Sequence, residues 1–183
     1  MTDLTVRLRP VVEHDIEMFR RFNTEPGLIG LDWAGYRDAA APARRFAEDG
    51  YLGADSGRLM VHVEEEQAAA GFVSYLAGKY GGLAGFWEIG IALLPEWRGR
   101  GVGWRAQAMI CDYLFAHTPA QRIQAGTHAE NVAEQKSLVK AGFQLEGVVR
   151  ACEFRAGRWR DGYLYSRLRD DPSPLANTGI VAT

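Results

Sequence analysis

The sequence predicts an α/β (α+β) fold in a single domain, with a mixed, mostly antiparallel seven-stranded sheet flanked by helices. Seven segments have the alternation or apolar content of strands, and four have apolar residues at helical spacing. The chain of 183 residues can bury one sizeable core, and it contains neither an internal repeat nor a dividing linker. We expect one domain over residues 1–169 and a C-terminal tail over 170–183 whose composition is typical of disorder.

The N-terminal half alternates strands and helices before a glycine-rich region. The predicted elements are a strand at 5–9, helices at 14–22 and 39–49, and strands at 58–63 and 69–76. Pro10 ends the first strand, and Gly57 marks the turn into the next one. The segments 23–37 and 78–85 are rich in glycine and are predicted to be a loop and a connection.

The C-terminal half begins with a strand, a short glycine-rich turn and a helix. The predicted elements are strands at 86–93 and 122–126, helices at 103–117 and from 131 onward, and strands at 144–152 and 159–168. The helix at 103–117 has an apolar stripe that includes Ala106, Ile110 and Leu114. A helix with one apolar face is expected to pack against the sheet.

Composition and charge exclude several classes of protein. The formal net charge of −2 argues against nucleic-acid binding, which needs a basic excess. No apolar stretch is long enough to span a membrane, and Asp3 and Arg7 interrupt any run resembling a signal peptide. Cys111 and Cys152 are far apart, which favours a reducing, cytoplasmic setting. Histidines and cysteines are scattered, so no metal site is expected.

The turn between the strand at 86–93 and the following helix carries the strongest ligand-binding signal. Its residues are Arg98, Gly99, Arg100, Gly101, Val102 and Gly103. Small residues let backbone N–H groups close on a ligand, and the N-terminus of a helix offers unpaired N–H groups and a positive dipole. The two arginines add positive charge and suit phosphate oxygens. The turn is therefore predicted to bind a phosphate or diphosphate.

Two other phosphate-binding motifs fit this turn less well. A nucleoside-triphosphate P-loop would end in Gly-Lys-Ser/Thr, which is absent here. Gly101, Gly103 and Ala106 match a loose dinucleotide fingerprint, which would predict NAD(P) binding. That fingerprint directly follows the first strand of a βαβ unit, whereas here Pro95–Trp97 intervenes and about four strands precede the glycines.

The Arg-x-x-Gly-x-Gly pattern at 98–103 resembles the GNAT superfamily of acetyl-CoA-dependent N-acetyltransferases, and within it the RimJ/RimL branch. Asn131, Gly142 and Phe143 match the family's usual spacing, and the resemblance is specific over about residues 86–168. It implies acetyl-CoA as cosubstrate, no metal, and direct acetyl transfer to a primary amine. A small-molecule amine and a protein N-terminus both remain open as acceptors, and a homodimer is compatible with the sequence.

Glu88 is the candidate general base, both from its place on the strand at 86–93 and from its resemblance to the family pattern. A carboxylate in a partly dry cleft can take a proton from an ammonium group, directly or through water. The alternative is a solvent-facing residue or an ion pair with a neighbouring strand. The resemblance further implies that this strand splays from its neighbour. Backbone amides near Ile91 and Leu93 would then bind the coenzyme and stabilise an oxyanion.

Asn131 has two predicted roles that are compatible. It fits an N-cap, with Glu134 placed for a capping box, and the resemblance implies a contact with the pantetheine arm. Relatives often carry a serine or tyrosine that protonates the thiolate, but those places hold Glu134 and Leu138 here. Ser137 lies out of register, and His128 and Tyr165 are further candidates. We assign no general acid.

Trp33 resembles the aromatic residue that lines the acceptor site in relatives. A loop aromatic near Asp32 and Asp38 suits a cationic amine, although a core anchor is an equal alternative. The absence of the family's acids leaves a second hypothesis open. In that hypothesis the chain is a catalytically weak acyl-CoA-binding module with a regulatory role.

Overall fold

The computed structural model describes residues 4–82 and 84–176. The strands are β1 (Val6–Pro10), β2 (Ser56–Val63), β3 (Ala68–Tyr80), β4 (Ala84–Leu93), β5 (Arg122–His128), β6 (Gln144–Arg155) and β7 (Arg158–Leu168). The helices are α1 (Ile16–Thr24), α2 (Pro26–Ile29), α3 (Ala41–Asp49), α4 (Val102–His117) and α5 (Val132–Lys140). Short 3₁₀ turns at Glu13–Asp15, Gly30–Asp32 and Pro95–Trp97 complete the secondary structure.

The strands form a seven-stranded sheet, as the sequence predicts, and their order in it is β1-β2-β3-β4-β5-β7-β6. β1 pairs with β2, β5 with β7 and β6 with β7, all antiparallel. β4 and β5 are parallel, because α4 crosses between them and returns the chain in the same direction. The sheet is therefore mixed and mostly antiparallel.

The chain divides into two compact units, and the boundaries fall inside β3, β4 and α4. The first unit comprises residues 1–75 and 91–106, and the second comprises 76–90 and 107–183. In the first unit, the rings of Phe19, Tyr51 and Phe72 pack together around the guanidinium of Arg58. Burial lowers the pKa of Arg58 from its usual value.

The second unit has an apolar core that also contains an ion pair. Its fully buried side chains include Ile110, Leu114, Ile123 and Leu138. Arg167 is only 2% exposed, and its Nη2 lies 2.8 Å from Asp112 Oδ1. Removal of Asp112 would leave the buried charge of Arg167 without this partner, so the pair is expected to fix how β7 packs on α4.

The connection predicted at 78–85 was wrong in its extent, because strand structure continues to Tyr80 and resumes at Ala84. Gly78 lies within β3, where a Cβ atom would come within 2.3 Å of the Phe86 ring. Glycine at this position makes room for the Phe86 ring and does not mark a turn. Similarly, the segment at 23–37 was predicted as a loop, but it contains α2 and a 3₁₀ turn.

Residues 170–176 of the predicted tail contact the body of the protein. Ser173 Oγ donates a hydrogen bond to Asp112 Oδ2 at 2.6 Å, and Leu175 is only 2% exposed. These contacts order the start of the tail despite its polar composition. Residues 177–183 of the predicted tail lie outside the described residues.

Candidate active site

The predicted strand–turn–helix is formed by the end of β4, the 3₁₀ turn at Pro95–Trp97 and the start of α4. Gly99 and Gly101 have φ angles of +70° and +82°, in the left-handed region that side chains disfavour. A Cβ atom on Gly101 would lie 2.6 Å from Arg105 Nη1. The turn therefore needs glycine at these two positions.

The helix that follows this turn offers backbone donors. Val102 is the first residue of α4 and Gly103 the second. The N–H groups of the first residues of an α-helix have no intrahelical partner, and the helix dipole makes this end positive. Arg105 Nη1 donates to Gly101 O at 3.1 Å, and its guanidinium lies 4.7 Å from the centre of the Trp104 ring. The arginine side chain and the helix dipole therefore both make the N-terminus of α4 positive.

Arg98 has a structural role that the sequence did not indicate. Its Nε and Nη2 donate to the carbonyl oxygen of Leu93 at 3.0 and 2.9 Å, and Nη2 also donates to Leu28 O. The side chain thereby ties the turn to the end of β4 and to α2. A phosphate contact by Arg98 stays a prediction.

Arg100 forms an ion pair and stacks on an aromatic ring. Its Nη2 lies 2.5 Å from Glu66 Oε1, and its guanidinium lies 4.6 Å from the centre of the buried Trp97 ring. A side chain anchored on one face keeps its remaining donors oriented.

Trp33 follows the 3₁₀ turn Gly30–Asp32 and is partly exposed. Its ring packs edge-on against Tyr36, with the ring centres 5.4 Å apart, and the Tyr36 side chain is 78% exposed. Asp38 is engaged by Arg44, which lowers the pKa of that carboxyl. Trp33 is therefore neither a deeply buried core anchor nor an isolated ring. Its role at an acceptor site stays a prediction.

The ladder between β4 and β5 is short. Within the described residues it consists of the pairs Trp87–Ile123 and Glu88–Gln124, although β4 continues to Leu93 and β5 to His128. The backbone of Gly90 is thus not paired with β5. Ile91 and Leu93 are half-buried in the last part of β4. The ladder therefore ends before either strand does, and the splaying that the family resemblance implies stays a prediction.

Glu88 is exposed and lies at the last pair of that ladder. Gln124 Nε2 donates to Glu88 Oε2 at 3.4 Å, and Tyr80 Oη donates to Gln124 Oε1 at 2.8 Å. Sequence reasoning missed both neighbours. Tyr80 was assigned to a connection, and Gln124 was one polar residue in a short strand whose register against β4 the sequence does not give.

Asn131 is the N-cap of α5, as predicted. Its Oδ1 accepts a hydrogen bond from Glu134 N at 3.2 Å, and its own N–H donates to His128 O at 3.0 Å. Its Nδ2 makes no hydrogen bond to any described residue. The side chain therefore caps the helix and retains a donor for a ligand. Its contact with a pantetheine arm stays a prediction.

A polar group links α4 and α5. The buried Gln107 donates from Nε2 to the Glu134 carboxylate and accepts from Ser137 Oγ at 2.6 Å. Ser137 is thus a helical serine whose hydroxyl has a structural partner. The Glu134 carboxylate contacts α4 here.

The two remaining candidate proton donors are both buried. His128 is 6% exposed, with its Nε2 3.0 Å from Glu153 Oε2, and Tyr165 is 4% exposed. Burial raises the pKa of Tyr165. Neither residue gains support as an acid from these surroundings.

The cysteines are free thiols. Cys111 is buried, which raises its pKa to about 12 and keeps the thiol protonated, whereas Cys152 is exposed. Across residues 4–82 and 84–176, no three histidine, cysteine, aspartate or glutamate side chains group as metal ligands would. None of the helices in that same part of the chain has the length and apolar character needed to cross a membrane.

The fold is that of N-acetyltransferases of known structure. One is the spermidine N-acetyltransferase of Vibrio cholerae in complex with CoA and spermine, with a TM-score of 0.78, 19% identity, and 93% of this chain and 98% of that chain covered. Another is RimL, the ribosomal L7/L12 α-N-protein acetyltransferase in complex with coenzyme A, with a TM-score of 0.73, 18% identity, and 90% and 95% covered. At identities this low, the structural similarity shows a shared fold alone.

The sequence comparison identifies the family. The family model described as "Acetyltransferase (GNAT) domain" matches residues 5–144, and the chain therefore belongs to the GNAT acetyltransferase family. Among curated proteins it is similar to the probable N-acetyltransferase YjcK of Bacillus subtilis (strain 168), with 32% identity over 83 residues. That match covers 45% of this chain and 46% of the relative, so the chain spans about half the length of the curated relative it matches.

Proposed function

We propose that the protein is an acetyl-CoA-dependent N-acetyltransferase of the RimJ/RimL-like branch, acting on a primary amine. The observation that carries the proposal is the turn at 98–103 in a GNAT family chain. Its two left-handed glycines precede the N-terminus of α4. A turn of this kind presents N–H groups to a diphosphate. No metal is needed for this chemistry.

The proposal assigns coenzyme binding to backbone groups more than to side chains. The N–H groups of residues 98–103 would hold the diphosphate, with Arg100 adding charge beside it. Backbone groups at Ile91 and Leu93 would bind the pantetheine arm as an added strand does, since the ladder with β5 has already ended. The Nδ2 group of Asn131 would donate to the same arm.

Acetyl transfer proceeds by direct attack in a ternary complex. Glu88, or a water that it orders, takes a proton from the ammonium group, and the amine nitrogen then attacks the thioester carbonyl carbon. The C–N bond forms, backbone N–H groups stabilise the oxyanion, and the C–S bond breaks to release the thiolate of coenzyme A, which takes up, directly or through water, the second proton lost by the amine nitrogen as the neutral amide forms. That thiol is a much stronger acid than an alkylammonium group, so the thiolate leaves without a dedicated acid.

The acceptor is either a small-molecule amine or a protein N-terminus. The solved neighbours include enzymes of both kinds, one for spermidine and one for the ribosomal protein L7/L12. The partly exposed pair of Trp33 and Tyr36 offers ring faces to a cationic amine. A cytoplasmic location, favoured by the free cysteines, and a homodimer belong to the same proposal.

The test is coenzyme A release with acetyl-CoA and a panel of polyamines, aminoglycosides and peptides with free N-termini. Turnover on one class above the hydrolysis background supports the enzyme and identifies its acceptor. Tight coenzyme binding without turnover on any amine would favour the acyl-CoA-binding regulatory module. The positions of Glu134 and Leu138, where relatives carry an acid, keep that alternative open.

A further inference from the structure

The side chains of Tyr80, Gln124 and Glu88 form a continuous hydrogen-bonded row. An ionised carboxylate can only accept hydrogen bonds, so Glu88 faces the NH₂ group of Gln124 at 3.4 Å. The amide oxygen of Gln124 is then left for a donor, and the Tyr80 hydroxyl supplies it at 2.8 Å. The directions of these two hydrogen bonds are therefore those expected when the Glu88 carboxylate is ionised.

Gln124 is buried, whereas Glu88 and Tyr80 are exposed. Gln124 is 7% exposed and lies directly opposite Glu88 in the β4–β5 ladder. The Tyr80 ring packs on Phe86, with the ring centres 4.6 Å apart, and the guanidinium of Arg122 lies 5.7 Å from its centre. An exposed carboxylate beside a fixed amide has its orientation restricted by that amide.

We propose that Gln124 is a positioning residue for the Glu88 carboxylate, and that Tyr80 fixes the orientation of the Gln124 amide. The inference rests on the proposed function, in which Glu88 is the general base. In the ionised state Gln124 donates to Glu88. Once Glu88 has taken the proton, the amide can turn, so that its oxygen accepts from the new carboxylic acid and its NH₂ group donates to the Tyr80 oxygen. All three groups keep partners in both states.

The kinetic test compares Gln124→Met with Gln144→Met. Gln144 lies on β6, opposite Ser166 of β7, and Ser166 in turn lies opposite Gln124 of β5. The Gln144 side chain is exposed. Gln124→Met removes a donor that favours the ionised base, so kcat/KM for the amine should fall about tenfold. The acidic limb of its pH profile should move to higher pH, with KM for acetyl-CoA within about twofold of wild type. Gln144→Met should behave as wild type, and Tyr80→Phe should lose about threefold.

A second measurement does not need a substrate. The side-chain amide resonances of Gln124 in ¹⁵N-labelled protein should shift with pH in the wild type, and this response should disappear in Glu88→Gln. Gln124 amide resonances that do not change with pH in the wild type would overturn the positioning role. A pH profile of kcat/KM for Gln124→Met that matches the wild-type profile would do the same. Neither result would argue against acetyl transfer. Full activity of Glu88→Gln would instead refute the base itself and the inference that depends on it.

Discussion

The guanidinium of Arg98 contacts the carbonyl oxygen of Leu93 with two nitrogens, Nε at 3.0 Å and Nη2 at 2.9 Å. Leu93 is the last residue of β4, and Arg98 begins the turn that leads into α4. The contact joins the two ends of the 3₁₀ turn at Pro95–Trp97. It explains in physical terms why an arginine stands at the start of the Arg-x-x-Gly-x-Gly pattern.

Replacement of Arg98 by lysine should destabilise the protein, because a single ammonium group cannot reproduce the planar fork on Leu93 O. We expect the free energy of unfolding to fall by about 1 kcal/mol and the affinity for acetyl-CoA to fall with it. Urea unfolding and calorimetry measure both quantities. Arg150→Lys, on exposed β6, is the matched control and should change neither. An Arg98→Lys variant as stable as wild type would disprove the anchoring role.

Replacement of Gly101 by alanine should weaken coenzyme binding. The residue has a φ of +82°, and a Cβ atom would lie 2.6 Å from Arg105 Nη1. Gly157, with a φ of +78° and no heavy atom within 4 Å of a Cβ, provides the control for backbone strain alone. Both variants should lose about 1 kcal/mol of unfolding free energy, but only Gly101→Ala should lose affinity for acetyl-CoA. Equal affinities for acetyl-CoA in the two variants would argue against coenzyme binding by the turn at 98–103.

Two substitutions of Asn131 should separate its capping role from ligand binding. Aspartate is as good an N-cap as asparagine, so Asn131→Asp should keep wild-type stability but lose the Nδ2 donor. Asn131→Ala should lose the cap as well, at a cost of about 1 kcal/mol. We expect weaker acetyl-CoA binding in both and a lower melting temperature only in Asn131→Ala. Wild-type affinity in Asn131→Asp would show that the amide does not contact the coenzyme.

Glu146 should make stability depend on pH in the acid range. Hydrogen bonds from Arg122 and then Ser166 lower the pKa of Glu146 to about 2 in the folded protein. A lowered pKa contributes stability that is present above the unfolded value, about 4.3, and that is lost as the pH falls towards 2. Glu146→Gln should therefore be less stable than wild type at neutral pH, and the difference should shrink below pH 4.3.

Chemical unfolding between pH 7 and pH 2.5 measures that difference, with Glu13→Gln as the control at an exposed carboxylate. The effect should be modest, because the Glu146 side chain is 37% exposed and water screens the pair. A stability difference that stays constant with pH would show that the ion pair does not form in solution.

The succession of strands and helices along the chain could be predicted because alternation and helical spacing follow directly from which faces are buried. The turn at 98–103 could also be located, since glycine at a left-handed position leaves a signal in the sequence. The role of Gly78 could not, because a glycine that makes room for the Phe86 ring looks the same in a sequence as a glycine that turns the chain.

The sequence also did not show which residues distant along the chain contact each other in the folded protein. The contacts of Glu88 with Gln124 and of Gln124 with Tyr80 join residues from three strands. Their proximity depends on strand order and register, which no local pattern encodes. The start of the tail shows the same limit, since Ser173 and Leu175 are ordered by long-range contacts with the body of the protein.

Diffraction from crystals grown with saturating acetyl-CoA tests the central claim most directly. The account predicts electron density for the diphosphate within hydrogen-bond distance of the backbone nitrogens of residues 98–103. Ordered coenzyme bound elsewhere on the protein, or no coenzyme density at saturating concentration, would contradict it.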